Sequence, residues 1–251
     1  MDTQSVLYQQ LDNVALITLN RPQVYNCINH DLMENLVRCL NKAEDDDSIH
    51  AMVLTGAGQK AFCAGLDLKE LSGGGDLLLD DSLFIDAFAR RKKPMIGAIN
   101  GFAITGGLEM ALSCDLLYGS EHAVFSDTHC KVGILPTWGM TQKLPRLIGY
   151  GRAREMSLSG RKIDAETALA WGLVNRLFPA ELLVDEAVKL AAEIASHYPP
   201  SIQSLKQLID GGEGMEIKEA LAFERSISQP HNEGINFSEM NARLAQMRGK
   251  K

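Results

Sequence analysis

"KPMIGAINGFAITGGLEMALSC", residues Lys93 to Cys114, decides how this chain is read. An apolar strand runs to Ile99, Asn100-Gly101 turns the chain, Phe102 to Ile104 resumes as a strand, and a helix follows Gly106-Gly107 through Cys114. Inside that apolar helix stands one carboxylate, Glu109.

The same punctuation continues on both sides. "VALITLN" (Val14 to Asn20) alternates as a strand, Arg21-Pro22 break it, and "HDLMENLVRCLNKAEDD" (His30 to Asp46) carries apolar residues at helical spacing. "AMVLTG" (Ala51 to Gly56) reads as a further strand, and "KAFCAGLDLKEL" (Lys60 to Leu71) as a loop entering a short helix. "SGGGD" (Ser72 to Asp76) is expected as a mobile loop, followed by a helix from Leu83 to Arg90. "DLLYGS" and "AVFSD" are short strands around Glu121-His122. From Gly149 onward the period is helical almost throughout, and the tail from Ile227 to Lys251 is polar and weakly periodic, a segment that either packs on a neighbouring subunit or frays. Strands early and helices late predict an α/β core with a helical C-terminal region.

Composition narrows the chemistry. The chain has 251 residues, 45% hydrophobic and 23% charged, enough to bury a sizeable core. A formal net charge of -7 speaks against a general binder of nucleic acid or membrane surfaces, which recruit basic faces, so an anionic ligand must be held locally. The cysteines, Cys27, Cys39, Cys63, Cys114 and Cys130, are odd in number and lack metal or redox spacing, which predicts reduced thiols and no metal site. The first ten residues lack signal- or transit-peptide character and no apolar run reaches membrane-spanning length, so a cytoplasmic protein is expected.

Glycine pairs suggest where the chemistry is. A helix start leaves backbone N–H groups without internal partners, and Gly106-Gly107 clears side chains from such a start. A donor there can hydrogen-bond a developing oxyanion, an effect worth roughly 3–4 kcal/mol in enzymes where it has been dissected. Ala64-Gly65 in "FCAGLDL" offers a second close approach, with the N–H of Leu66 as the second donor. Both pairs also read as tight turns against neighbouring backbone. Glu109 lies in the first turn of the glycine helix beside Phe102, Ile104, Leu108 and Met110, where burial raises its proton affinity and suits acid/base work. Its other reading is a simple partner of the helix dipole.

Five stretches in order, "NRPQVYNCIN", "AFCAGLDLKEL", "KKPMIGAINGFAITGGLEMALSCDLLYGSEHAVFS", "VGILPTWGMTQKLPRLIG" and "AETALAWGLVNRL", resemble the enoyl-CoA hydratase/isomerase (crotonase) family from Val6 to about Leu208. The resemblance implies a spiral of ββα repeats over residues 1–195. It also implies a helical region over 196–251 that takes part in a homotrimer, often a hexamer built as a dimer of trimers. Family members bind an acyl-CoA thioester and polarise its carbonyl with two peptide N–H groups, here matching Leu66 and Gly106. Ala64, Gly65, Leu66, Asp67 and Leu68 match the stretch that receives coenzyme A. Lys69 matches a basic position near its phosphates, or is a solvated helix lysine. Coenzyme A is then part of the substrate, and no separate cofactor is expected.

The family's hydratases use two glutamates. Glu109 matches one; the second position, in "FSDTHCKVG", holds His129, and a third acidic position found in some isomerases holds Thr137. An imidazole exchanges protons near neutral pH, so His129 either replaces the missing glutamate or only hydrogen-bonds in the pocket. Asp127 is expected on the same face as His129 if the strand continues. Trp138 is read as pocket floor or packing. Three functions stay open on the sequence: a 2-enoyl-CoA hydratase acting through Glu109 and His129, a Δ3-Δ2 enoyl-CoA isomerase or another reaction needing Glu109 alone, and a non-catalytic acyl-CoA binder.

Overall fold

The computed structural model describes residues 4–72 and 81–248, so the expected mobile loop falls, apart from Ser72, outside the described residues. The chain opens with β1 (Val6–Leu11) and β2 (Val14–Leu19), an antiparallel hairpin whose first strand the period of "VALITLN" did not announce. Next come α1 (His30–Asp45), β3 (Ala51–Gly56), β4 (Ala61–Cys63), α2 (Leu68–Ser72) and α3 (Ser82–Ala89). β5 (Met95–Ile99), β6 (Phe102–Ile104) and α4 (Gly106–Ala111) follow, then β7 (Leu116–Ser120), β8 (Val124–Ser126) and α5 (His129–Val132). The sequence continues with α6 (Met140–Ile148), α7 (Tyr150–Ser159), β9 (Ile163–Asp164), α8 (Ala165–Trp171), β10 (Arg176–Phe178) and α9 (Leu183–Ala195).

These strands divide between a six-stranded sheet, β1-β2-β3-β5-β7-β10, and a four-stranded sheet, β4-β6-β8-β9. Three successive turns of chain each give one strand to the first sheet, the next strand to the second, and then a helix: β3, β4, α2; β5, β6, α4; β7, β8, α5. This is the repeat that strand, turn, strand, glycines and helix foretold between Lys93 and Cys114. β3 is buried at all six positions, which explains why it reads as an unbroken apolar run. The main apolar cluster includes Leu36 and Leu40 of α1, Leu54, Phe62 and Phe125. A second cluster joins Leu183, Ala187 and Ala191 of α9 to Val53 and Ile96. Spacing of four residues puts those three on one stripe of α9, and the small side chains of Ala187 and Ala191 let the helix approach the sheet closely. α1 starts where Asn29 accepts the N–H of Leu32 at 3.0 Å, a cap worth about 1 kcal/mol.

The chain divides into two units, Met1–Ser196 and His197–Lys251. In the second, α10 (Pro199–Gly212), α11 (Ile217–Glu233) and α12 (Phe237–Arg248) follow one another. The tail read as polar and weakly periodic therefore belongs to the end of α11 and to α12, with a break at 234–236. Its stripe carries few apolar residues, and a helix of that kind gives a weak periodic signal. α10 and α11 cross tightly: a Cβ on Gly211 would come within 2.6 Å of the Phe223 ring. Among the described residues no helix is long and apolar enough to cross a membrane.

Candidate active site

β4, β6 and β8 are parallel neighbours, with Cys63 opposite Ala103 and Ile104 opposite Ser126. Their C-terminal ends therefore emerge side by side and deliver Ala64 to Leu66, Thr105 to Gly107, and Asp127 to His129 to one place. A cavity of about 380 Å³ opens there, lined among others by Leu66, Gly106, Glu109, His129 and Trp138. Ala64, Gly65, Asp67, Leu68 and Lys69 line it too, so every residue singled out from the sequence as catalytic, oxyanion-binding or CoA-binding borders the same space.

The first wall is a pair of peptide groups. Ile28 donates to the Gly65 carbonyl at 2.8 Å and accepts from the Asp67 N–H at 2.7 Å, so the Leu66 N–H is directed away from that pairing. Gly106 begins α4, where no intrahelical acceptor exists. Neither N–H has an acceptor among the described residues. The glycines are needed for this approach. Gly65 holds φ at +94°, and a Cβ on it would come 3.6 Å from the Gly106 nitrogen. A Cβ on Gly107 would come 2.0 Å from the Cys63 carbonyl oxygen, a contact no side chain can make. Thr105, just before Gly106, has φ +56° and ψ −115°, a strained setting for a β-branched residue. Its N–H on Ser126 (2.8 Å) and its hydroxyl, bonded to the Thr128 hydroxyl (2.5 Å) and N–H (3.1 Å), hold it there.

Glu109 is 2% exposed. Its Oε1 accepts the N–H groups of Trp138 (2.9 Å) and Met140 (3.2 Å), while Oε2 lies 3.6 Å from His129 Nε2. One oxygen anchors and the other is available for chemistry. Burial pushes the carboxyl above its ordinary range, the charge of Asp127 adds to the rise, and the Met140 N–H, the His129 ring and the Trp138 N–H oppose it. The dipole-partner reading accounts for neither the burial nor the two N–H donors.

His129 is also buried, and its Nδ1 lies 2.6 Å from Asp127 Oδ1. The sequence expectation that strand alternation would align these two residues is corrected: β8 ends at Ser126, and the chain turns into α5 at His129. Asp127 and His129 meet because Asp127 Oδ1 also accepts the His129 N–H at 3.2 Å across that turn. Burial would raise the Asp127 carboxyl, but bonds from the His129 ring, the Ser157 hydroxyl and the His129 N–H hold it below the usual carboxylate range.

Trp138 closes one side, its ring 4.6 Å from that of Phe84. Asp81 Oδ2 accepts from Trp138 Nε1 at 2.6 Å and from the Thr137 hydroxyl at 3.0 Å, so one carboxylate from another segment ties down the Thr137–Trp138 turn. Sequence reasoning missed Asp81, because nothing in "DLLLDDSLF" links it to a tryptophan fifty-seven residues away. It also missed Arg21, which bonds the Cys27 carbonyl at 2.5 Å and Asp67 Oδ2 at 3.0 Å; the Arg-Pro break was visible, its bond to Asp67 was not. Asp67 thus fixes the loop that carries the Leu66 N–H. His30 begins α1 and His122 is exposed, as expected.

A family model described as Enoyl-CoA hydratase/isomerase matches residues 9–236. The short-chain-enoyl-CoA hydratase of Clostridium acetobutylicum is 35% identical over 89% of this chain and 88% of its own. A mitochondrial enoyl-CoA hydratase of Pongo abelii is 37% identical over 86% of this chain and 75% of its own. Among solved structures, an enoyl-CoA hydratase of Bacillus anthracis superposes with a TM-score of 0.91 at 33% identity, covering 97% of both chains.

Proposed function

The chain belongs to the enoyl-CoA hydratase/isomerase family and has its fold, and from that premise we propose that it adds water across the 2,3 double bond of a 2-enoyl-CoA thioester. The observation that carries this reading is the 3.6 Å gap between Glu109 Oε2 and His129 Nε2 on the cavity wall. That gap is too long for a direct hydrogen bond. A water at about 2.8 Å from each atom fits at the apex of a triangle, subtending about 80° at its oxygen.

The thioester oxygen accepts from the N–H groups of Leu66 and Gly106. Glu109, as carboxylate, takes a proton from the held water while its oxygen bonds to the β-carbon. The electron pair of the double bond moves to the thioester oxygen, giving an enolate that the two N–H donors stabilise. His129, as imidazolium, delivers the proton to the α-carbon from Nε2, and the proton on Glu109 returns to Nε2 to reset the pair. One water is consumed and no electrons leave the substrate, so the step draws on no cofactor beyond the coenzyme A already in the substrate.

Ala64 to Leu68 form the edge along which coenzyme A lies in this reading, with Lys69 toward its phosphates. A homotrimer or hexamer in the cytoplasm belongs to the same reading. Exposed Ile209, Ile217, Leu221 and Phe237 on the C-terminal helices are apolar surface that assembly would cover.

The test is conversion of crotonyl-CoA in ¹⁸O-labelled water, with the product analysed by mass spectrometry. Label at the β-position supports hydration. A 3-enoyl-CoA converted without label would replace it with the isomerase reading, which Glu109 alone serves. Tight binding without turnover would make the chain an acyl-CoA binder.

A further inference from the structure

Asp127 is 2% exposed yet does not border the cavity. It lies behind His129, so thioester capture gives it no task. Its Oδ1 meets His129 Nδ1 at 2.6 Å and the His129 N–H at 3.2 Å, and the Ser157 hydroxyl of α7 bonds the same carboxylate. An ionised carboxylate only accepts hydrogen bonds, so Nδ1 must carry the proton. The other ring nitrogen, Nε2, is then left facing Glu109 Oε2 and the cavity. Without this partner an imidazole has two neutral tautomers and two ring orientations, and only one combination turns an unprotonated Nε2 toward Glu109, ready to take up the proton it passes on.

We propose that Asp127 is a positioning residue that keeps Nδ1 of His129 protonated in both the neutral and the cationic ring and keeps Nε2 aimed at Glu109, so that Nε2 alone gives and takes the transferred proton and an imidazole does the work of the second glutamate. The assignment rests on the reading of His129 as the proton-transfer group. Two strand ends make it possible: Asp127 and His129 leave β8, Glu109 follows β6, and β6 and β8 are adjacent and parallel. Ser157, from the separate helix α7, helps to hold the carboxylate ionised.

The experiment has two arms. Protein labelled with ¹⁵N-histidine is examined at neutral pH by NMR spectra that distinguish protonated from unprotonated ring nitrogens, with His129→Ala supplying the assignment. Nδ1 of His129 is expected to be protonated in the wild type and to lose that preference in Asp127→Asn. Kinetics of the same variant on crotonyl-CoA should show kcat lower by about 10²–10⁴-fold, as wrong-tautomer variants of carboxylate–histidine pairs do, with KM and the affinity for butyryl-CoA within threefold.

An unprotonated Nδ1 in the wild type overturns the proposal even if Asp127→Asn fails to fold. So does an Asp127→Asn variant that folds and keeps kcat within twofold. Failure of the hydratase reading looks different: the wild type turns over no enoyl-CoA, while the His129 spectrum still reports whether Asp127 sets the ring.

Discussion

His129 Nε2 and Glu109 Oε2 lie 3.6 Å apart, although the two residues are twenty positions distant and leave neighbouring strands. With Asp127 behind the ring, the three side chains form a line of acceptor, imidazole and acceptor, both ends buried. One imidazole ring thus stands between two buried carboxylates.

Glu109→Gln should abolish hydration by at least about 10³-fold while leaving butyryl-CoA affinity within threefold, because the amide oxygen still accepts from Trp138 and Met140 but cannot take a proton from water. Loss of crotonyl-CoA absorbance and isothermal titration measure the two effects.

The same residue governs pH dependence. Burial raises the Glu109 carboxyl, so the folded chain holds that proton more tightly than the unfolded chain does. The stability gained from it is fully present below the unfolded value and is lost as pH rises through the folded value. Glu109→Gln should therefore raise unfolding free energy at neutral pH, by on the order of 1 kcal/mol, in urea denaturation. In the wild type the acid limb of kcat/KM should fall above the ordinary glutamate range, since activity needs the carboxylate.

Asp127 has the opposite sign. Its carboxyl is held low, so its contribution to stability is present above the unfolded value and disappears as pH falls through the folded one. Asp127→Asn should destabilise the fold at neutral pH and progressively less in acid, as read from denaturation midpoints at a series of pH values.

His129→Glu on its own does not recreate the family pair. A carboxylate at that position would face Asp127, whose Oδ1 is 2.6 Å from the present ring, and two buried like charges oppose each other. Hydration should stay near the His129→Ala level in His129→Glu and recover at least tenfold in His129→Glu/Asp127→Gln. Crotonyl-CoA kinetics of the three variants decide this.

Gly107→Ala should be far more damaging than Gly106→Ala. The added carbon at 107 meets the Cys63 carbonyl oxygen at 2.0 Å, fixed backbone, whereas at 106 it meets the Trp138 ring at 3.2 Å, which can shift. Expected losses are about 3 kcal/mol or more against about 1 kcal/mol, by chemical denaturation.

The central elements were legible because each rests on local patterns: the buried run of β3, the amphipathic α1 capped by Asn29, and the glycines that end β6 and start α4; β1, β9 and β10, with no such pattern, were not. Glu109 was legible for the same reason, as a charge in an apolar helix turn. The glycine pairs placed Leu66 and Gly106 where strands end, and the family resemblance singled out His129. What the sequence could not decide was which way side chains turn after those ends. β8 stops at Ser126, and the turn that follows brings Asp127 behind His129 where alternation along a longer strand would have set both side by side. Asp81 reaching Trp138, Arg21 reaching Asp67 and Ser157 reaching Asp127 join separate elements, and such bonds follow from the parallel packing of β4, β6 and β8 and the helices around them. Local periodicity records which face of an element is buried. The partner met on that face is set only when the chain closes on itself.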